Sequence, residues 1–324
     1  MFFRFILKKS LVILCFLCIL SSGLHSLKKY PNDTQSLGNL KQIKKDKEQE
    51  NEQTDNIKNP KPFKKSSFQD LTQDYLSLMD LNGFYILPYY HSFSGVYGIN
   101  QPNEIKIQIS FKIPVFERVF WTKGSIYFAY TQTMWFQMYN IRYSNPVRDT
   151  NYQPEFFYSY PLEWNLWGGK ITQVWAGVQH LSNGIGGEDC YRESLKIPSG
   201  PKCRSRTAGN RFLAHIFWKK SGFVADLSVW PYVPKRKDNP DLYQYMGYGN
   251  LKLSYRSKRH LGEVEIYSIF TNYAHYRGAI RLGYTFKVSK FLGIYAQYFY
   301  GYGDSLYEYN IRSNRFGIGV RMLP

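Results

Sequence analysis

Ile105-Lys106-Ile107-Gln108-Ile109-Ser110-Phe111-Lys112-Ile113 decides the fold. Large apolar and polar residues alternate without a break across it, and a β-strand turns successive side chains to opposite faces. The same rule holds further on, where Ile126, Phe128, Tyr130, Met134 and Phe136 share one parity and Ser125, Ala129, Thr131 and Thr133 the other. Similar stretches recur near 84–95, 151–160, 170–182, 209–219, 222–232, 244–255, 260–270, 276–286, 291–301 and 313–322. That makes about twelve strands, the even number preferred by bacterial barrels. An open sheet of this kind would leave aromatic edge strands unpaired, whereas closure removes the edges. The pattern therefore predicts an all-β, transmembrane antiparallel β-barrel over residues 83–324 rather than a soluble sandwich.

Composition agrees with a barrel better than with a soluble domain. A mean hydropathy of −0.42 is low, yet 29 Tyr and 23 Phe among 324 residues suit a wall with two aromatic girdles and a polar interior. Residues 1–26 have the layout of a secretory signal: Arg4, Lys8 and Lys9, then the apolar run Leu11–Leu20, then Ser21, Ser22, Gly23 and Ser26. That run is short for a bilayer-spanning helix, and no later segment reaches the ~18–20 apolar residues a spanning helix needs. Residues 27–82 are rich in Lys, Glu, Asp, Asn and Gln through residue 66 and read as a charged, largely disordered periplasmic segment. Leu71, Tyr75, Leu76, Leu78 and Met79 suggest a short plug or cap at its end. The formal charge of +18 would suit nucleic acid, but an exported membrane barrel excludes that class of partner. Of four cysteines, Cys15 and Cys18 fall in the signal, leaving Cys190 and Cys203 in one loop. In an exported chain that pair reads as a local disulfide rather than a metal site.

One strand carries chemistry at its end. Positions 174, 176, 178, 180 and 182 read Val, Ala, Val, His and Ser, so an imidazole and a hydroxyl emerge together from an apolar, outward face. In the next strand Asn210 shares parity with Phe212, Ala214 and Ile216. If the two strands pair, His180, Ser182 and Asn210 meet at the rim of the barrel on its lipid side. The roles that follow are nucleophile for Ser182, base for His180, and orientation of the ring for Asn210. The Gly184 amide, two residues past the hydroxyl, is a candidate oxyanion donor. Glu188, Asp189, Ser205 and Asp238 lie in nearby loops and would suit a hard cation. The same features also admit a catalytically silent, porin-like barrel or surface adhesin with an incidental His/Ser pair. The outward parity of all three residues favours the enzyme, because a channel keeps its polar groups inside. Gln132 shares the outward parity of Tyr130 and Met134. An amide facing lipid needs a partner, from a second barrel, from its own chain, or from the headgroup layer.

Several blocks resemble outer-membrane phospholipase A, the bacterial phospholipase A1 family. They are Tyr143-Ser144-Asn145-Pro146-Val147-Arg148-Asp149-Thr150-Asn151-Tyr152-Gln153-Pro154, His180-Leu181-Ser182-Asn183-Gly184, and Asp238-Asn239-Pro240-Asp241 with Tyr245-Met246-Gly247-Tyr248. Tyr130-Thr131-Gln132 and Gly301-Tyr302-Gly303-Asp304-Ser305-Leu306 match as well. The resemblance implies a calcium-dependent hydrolase of glycerophospholipid acyl esters (A1/A2-type), in the outer membrane with its active site facing the outer leaflet. It implies Ser182, His180 and Asn210 as the catalytic set and Gly184 at the oxyanion. It further implies a homodimer when active and a monomer when idle, with Gln132 in the interface. One Ca2+ per subunit would be held near Ser205, by the Ile185 backbone oxygen and by Ser144 of the partner subunit, or near Asp238 outside the dimer. The chain departs from the family in an insertion, Gly186 to Arg204, which holds both remaining cysteines. The segment Ser205-Arg206-Thr207-Ala208-Gly209-Asn210-Arg211 is one residue longer than the family's, which makes Arg206 the alternative ligand position. The ending Met322-Leu323-Pro324 also lacks the usual terminal aromatic residue.

Overall fold

The computed structural model describes residues 81–94, 100–119, 122–142, 147–185, 207–231, 239, 241–270 and 277–323. Twelve strands run in chain order: β1 (Phe84–Ser92), β2 (Asn103–Phe116), β3 (Ser125–Phe136), β4 (Val147–Leu166), β5 (Gly169–Ser182) and β6 (Thr207–Lys220). They continue as β7 (Phe223–Val229), β8 (Gly249–Arg256), β9 (His260–Ile269), β10 (Ala279–Lys287), β11 (Leu292–Gly301) and β12 (Ser313–Met322). Each pairs antiparallel with its neighbour in sequence, and β1 pairs with β12, so the sheet closes into the expected barrel. The alternation read from residues 105–113 is the lumen/lipid alternation: Lys106, Gln108 and Ser110 are buried inside while their neighbours face outward. Outward residues such as Phe156, Val178, Phe212, Ile216 and Ile318 form an exposed apolar wall, as lipid contact requires.

The two ends of the barrel differ. Connections 117–124, 167–168, 221–222, 257–259 and 288–291 are short, and those at the other end are longer. Short turns mark the periplasmic end of bacterial barrels and long loops the outer end.

Three departures from the expected elements have clear causes. The strand expected over 244–255 is found as β8 from Gly249, but its expected first residues belong to a one-turn helix, α1 (Leu242–Met246). Leu242 of that helix is fully buried among Leu181, Leu306 and Tyr309, and Tyr309 Oη donates to Asp241 Oδ1 at 2.6 Å. Second, β4 reaches from Val147 to Leu166, well beyond the expected 151–160, because it pairs with β5 far past the start of β3, which lies opposite Ser159. Third, β1 bulges between Ile86 and Tyr89 where Pro88 interrupts the ladder to β12. Opposite the bulge a Cβ on Gly319 would collide with the Ile86 carbonyl oxygen, so only glycine lets the two strands meet there.

Charged side chains pack part of the lumen toward the long-loop end. Arg148 Nε donates to Glu104 at 2.8 Å and its Nη1 to Glu308 at 2.9 Å, while Arg315 Nη2 donates to Glu308 at 2.7 Å. Lys106 Nζ lies 2.9 Å from Asp304. Asp304 and Glu308 belong to the connection 302–312, which folds back into the barrel: Tyr307 N–H donates to Asp149 and Leu306 N–H to Asn151. This is what the block Gly301 to Leu306 does structurally. A cavity of about 680 Å³ remains in the lumen, lined in part by Trp175, His215, Lys252 and Glu263. Leu81 packs at its wall against Ala129, Phe157 and Trp175.

Candidate active site

The site is built by the register between β5 and β6. Val174 pairs with Ile216, Ala176 with Ala214, Val178 with Phe212 and His180 with Asn210. Paired residues project to the same side, so the apolar outward pairs lead up to a polar one at the rim. There His180 Nδ1 and Asn210 Oδ1 lie 2.7 Å apart. The amide oxygen accepts only, so the ring places its proton on Nδ1 and leaves Nε2 as an acceptor. Ser182 is two residues further along β5 on the same face, half-buried, and cross-strand from Tyr152 of β4.

The extra residue between Thr207 and Asn210 has a structural consequence. Leu181 pairs with Gly209 but Ser182 with Thr207, so β6 carries a one-residue bulge at this point. Gly209 sits at φ +91°, in the region that glycine tolerates and other residues resist. The bulge absorbs the insertion above Asn210 and leaves Asn210 opposite His180.

Beyond Ser182 the chain leaves the sheet in a tight turn. Asn183 is buried, and its Oδ1 accepts the Ile185 N–H at 3.2 Å, an Asx turn. Gly184 stands at φ +70° within reach of the Tyr152 ring. The turn fixes the backbone at Gly184, two residues past Ser182.

The inner faces of the same strands support this rim. Gln179 Nε2 donates to Glu155 Oε1 at 2.5 Å, Arg211 Nε donates to Gln179 Oε1, and the Arg211 guanidinium lies 4.3 Å from the Trp230 ring centre. Gln179 and Arg211 flank His180 and Asn210 in sequence and face inward, so each catalytic candidate has a locked neighbour behind it. Inward parity was legible for both residues, but their link to Glu155 and Trp230 depends on the closed barrel.

Of the expected site residues, the structure brings His180, Ser182, Asn210, Gly184 and Ile185 together at one rim. Ser144, Ser205 and Asp238 lie outside the described residues, as do Arg206, Cys190 and Cys203. Among the described residues no three His, Cys, Asp or Glu side chains cluster as a metal site. Gln132 faces outward on β3, and its Oε1 accepts a hydrogen bond from Tyr130 Oη at 3.1 Å. The amide thus has a partner within its own strand.

Residues 43–322 match the family model for phospholipase A1. The chain is 30% identical over 225 residues to the phospholipases A1 of Salmonella typhimurium and of Escherichia coli, spanning 68% of this chain and 70% of each relative. Its fold superposes on outer membrane phospholipase A from Escherichia coli with a TM-score of 0.65 and 25% identity, covering 75% of this chain and 96% of that one. The Salmonella typhi outer membrane phospholipase, solved as a dimer with bound calcium, matches with a TM-score of 0.64 and 26% identity over 74% of this chain and 90% of that one. A closed twelve-stranded barrel with this sequence likeness belongs to the phospholipase A1 family, and the chain is a phospholipase ester hydrolase of the bacterial outer membrane.

Proposed function

We propose that this phospholipase cleaves glycerophospholipid acyl esters at the outer leaflet with Ser182 as nucleophile, His180 as base and Asn210 as the group that orients the ring. The observation that carries this reading is the 2.7 Å His180–Asn210 contact on the lipid-facing side, with Ser182 on the same face. Ser182 Oγ attacks the acyl carbonyl carbon while His180 Nε2 takes its proton. The carbonyl π electrons move to oxygen, and the Gly184 N–H donates to the developing oxyanion. The tetrahedral adduct then collapses, the ester bond breaks, and His180 returns the proton to the departing glyceryl oxygen. Water attacks the acyl-serine in the same way, releasing fatty acid and free Ser182. Asn210 carries no charge, so it fixes the tautomer of the ring without stabilising imidazolium as a carboxylate would.

Calcium and dimerisation belong to the same reading. The candidate donors are the Ile185 backbone oxygen, Ser205 (or Arg206 in the shifted register), Ser144 of the partner subunit and Asp238 outside the dimer. All are oxygen donors, Arg206 through its backbone carbonyl, the chemistry a hard cation selects. Bound there, Ca2+ would supply positive charge near the oxyanion. The calcium-bound dimer of the Salmonella typhi relative supports both features. Gln132 faces outward as a dimer contact should, and its amide protons would meet the partner barrel while Tyr130 holds its oxygen. Residues 1–26 then serve as the export signal and 27–82 as a periplasmic segment ahead of the barrel.

The test is fatty-acid release from mixed phospholipid–detergent micelles by the refolded protein. Activity should need calcium, vanish with chelator, and fall by at least about 10³-fold in Ser182→Ala, since losing a nucleophile removes the whole covalent route. Hydrolysis that persists in Ser182→Ala would sink the assignment.

A further inference from the structure

The short-turn end of the barrel carries a charge pattern that hydrolysis at the opposite rim does not use. Segments 117–124, 163–170, 219–223, 256–260 and 287–291 hold ten Lys and Arg against two carboxylates, Glu117 and Glu163. Every one of the five contributes at least one exposed cation, for example Arg118, Lys170, Lys220, Arg259 and Lys290. Glu163, 3.9 Å from Lys170, is the only carboxylate ion-paired with any of these cations among the described residues. The positive charge therefore recurs at each of the five short turns, with only the β12–β1 seam lacking such a turn, rather than forming one patch.

A second pattern fixes the height of this arc. Each segment sets an exposed or half-buried aromatic residue close to its cation in sequence: Phe116 before Arg118, Trp167 before Lys170, Phe223 after Lys220, Tyr255 before Arg256, and Phe291 after Lys290. Phe223 and Tyr255 touch with ring centres 4.4 Å apart. Exposed tryptophans among the described residues, Trp164 and Trp167, both stand here. Aromatic rings settle at the boundary of hydrocarbon and headgroup, and Lys and Arg beside them extend to the phosphate level. An arc of largely uncompensated cations at that depth meets lipid phosphates from the β2–β3 turn round to the β10–β11 turn.

We propose that this collar binds the headgroups of anionic phospholipids in the leaflet at the short-turn end, in preference to zwitterionic ones. Zwitterionic headgroups present a phosphate with its own cation attached, so they compensate the collar poorly. Anionic headgroups leave the phosphate charge free for Lys and Arg. The enzyme would thereby keep an anionic lipid shell in the leaflet opposite its proposed site of hydrolysis.

Trp164 and Trp167 supply the reporter. The full chain is reconstituted in vesicles of ether-linked phosphatidylcholine, which contains no acyl ester to cleave. Ether-linked phosphatidylglycerol or phosphatidylcholine, brominated near the glycerol end of the chain, is then added as quencher. At low salt the anionic quencher should outperform the zwitterionic one by about threefold or more, and ~1 M salt should bring the two to parity. A variant carrying Lys220→Gln, Lys258→Gln, Arg259→Gln, Lys287→Gln and Lys290→Gln, checked for folding by heat-dependent gel mobility, should lose the preference. Equal quenching by both lipids in the native protein overturns the proposal, as does a preference that survives in the folded variant. Neither readout involves hydrolysis, so its failure is distinct from failure of the catalytic assignment.

Discussion

Two polar clusters sit near the long-loop end of this barrel, and they solve opposite problems. Inside, Glu104, Arg148, Glu308 and Arg315 share a buried space in which two guanidinium groups face two carboxylates. Outside, His180 and Asn210 form one hydrogen-bonded contact at an exposed rim, ending a ladder of apolar pairs. The inner cluster joins β2, β4 and β12 to the connection 302–312, so its geometry is a property of the closed barrel. The outer pair joins two adjacent strands and needs only their register. Buried charge holds a fold together when matched and breaks it when unmatched, whereas a polar pair at the surface is free to serve chemistry.

The largest effect is expected of Arg148→Met, which removes one of the two guanidinium groups, Arg148 and Arg315, that bridge Glu104 and Glu308. Unfolding in detergent should cost about 3–5 kcal/mol of stability, while activity per folded molecule stays near that of the parent. Activity lost in step with stability would mean that the two regions are one unit. Asn210→Ala tests the converse. It should reduce kcat about 10–100-fold, the equivalent of one hydrogen bond's ~1–3 kcal/mol, and leave the denaturation midpoint nearly unchanged. A large drop in stability would show that the rim pair is structural. The smallest effect is confined to acid. Burial alone would raise the Asp304 carboxyl, but Lys106 and Arg315 beside it hold it down to about 2. Its folded value lies below the unfolded one, so its contribution is complete above about pH 4 and is lost as pH falls through 2. Protease cleavage within 302–312 should therefore increase between pH 4 and 2 and be insensitive to pH in Asp304→Asn.

Much of this was legible in the chain because a barrel writes its two solvents into alternate residues. The run from Ile105 to Ile113 gave the faces of β2 correctly, and parity alone placed His180, Ser182 and Asn210 on the outside. Parity has no information about what crosses the lumen, so the meeting of Arg148 with Glu308 could not be read. Helix α1 overlaps the expected 244–255 strand only at its first residues, and β8 takes up the rest from Gly249. Its helical turn follows from Leu242 burying against Leu306 and Tyr309, a contact distant in sequence. The bulge at Gly209 lies between these cases: the additional residue was visible, but only the pairing shows where the strand takes it up.

The seam where β1 meets β12 has a consequence for how the molecule forms. Ser92 pairs with Arg315, so this ladder closes a loop that spans nearly the whole barrel, whereas every other ladder joins strands adjacent in the chain. Loop-closure entropy grows with separation, and contacts between distant segments slow folding. The seam is then the last ladder to zip, and it must do so around Pro88 and against Gly319, where one added methyl blocks the approach. Substitution at Gly319 should accordingly act on the rate of assembly before it acts on the finished enzyme, trapping open sheets whose first and last strands stay exposed to aggregation.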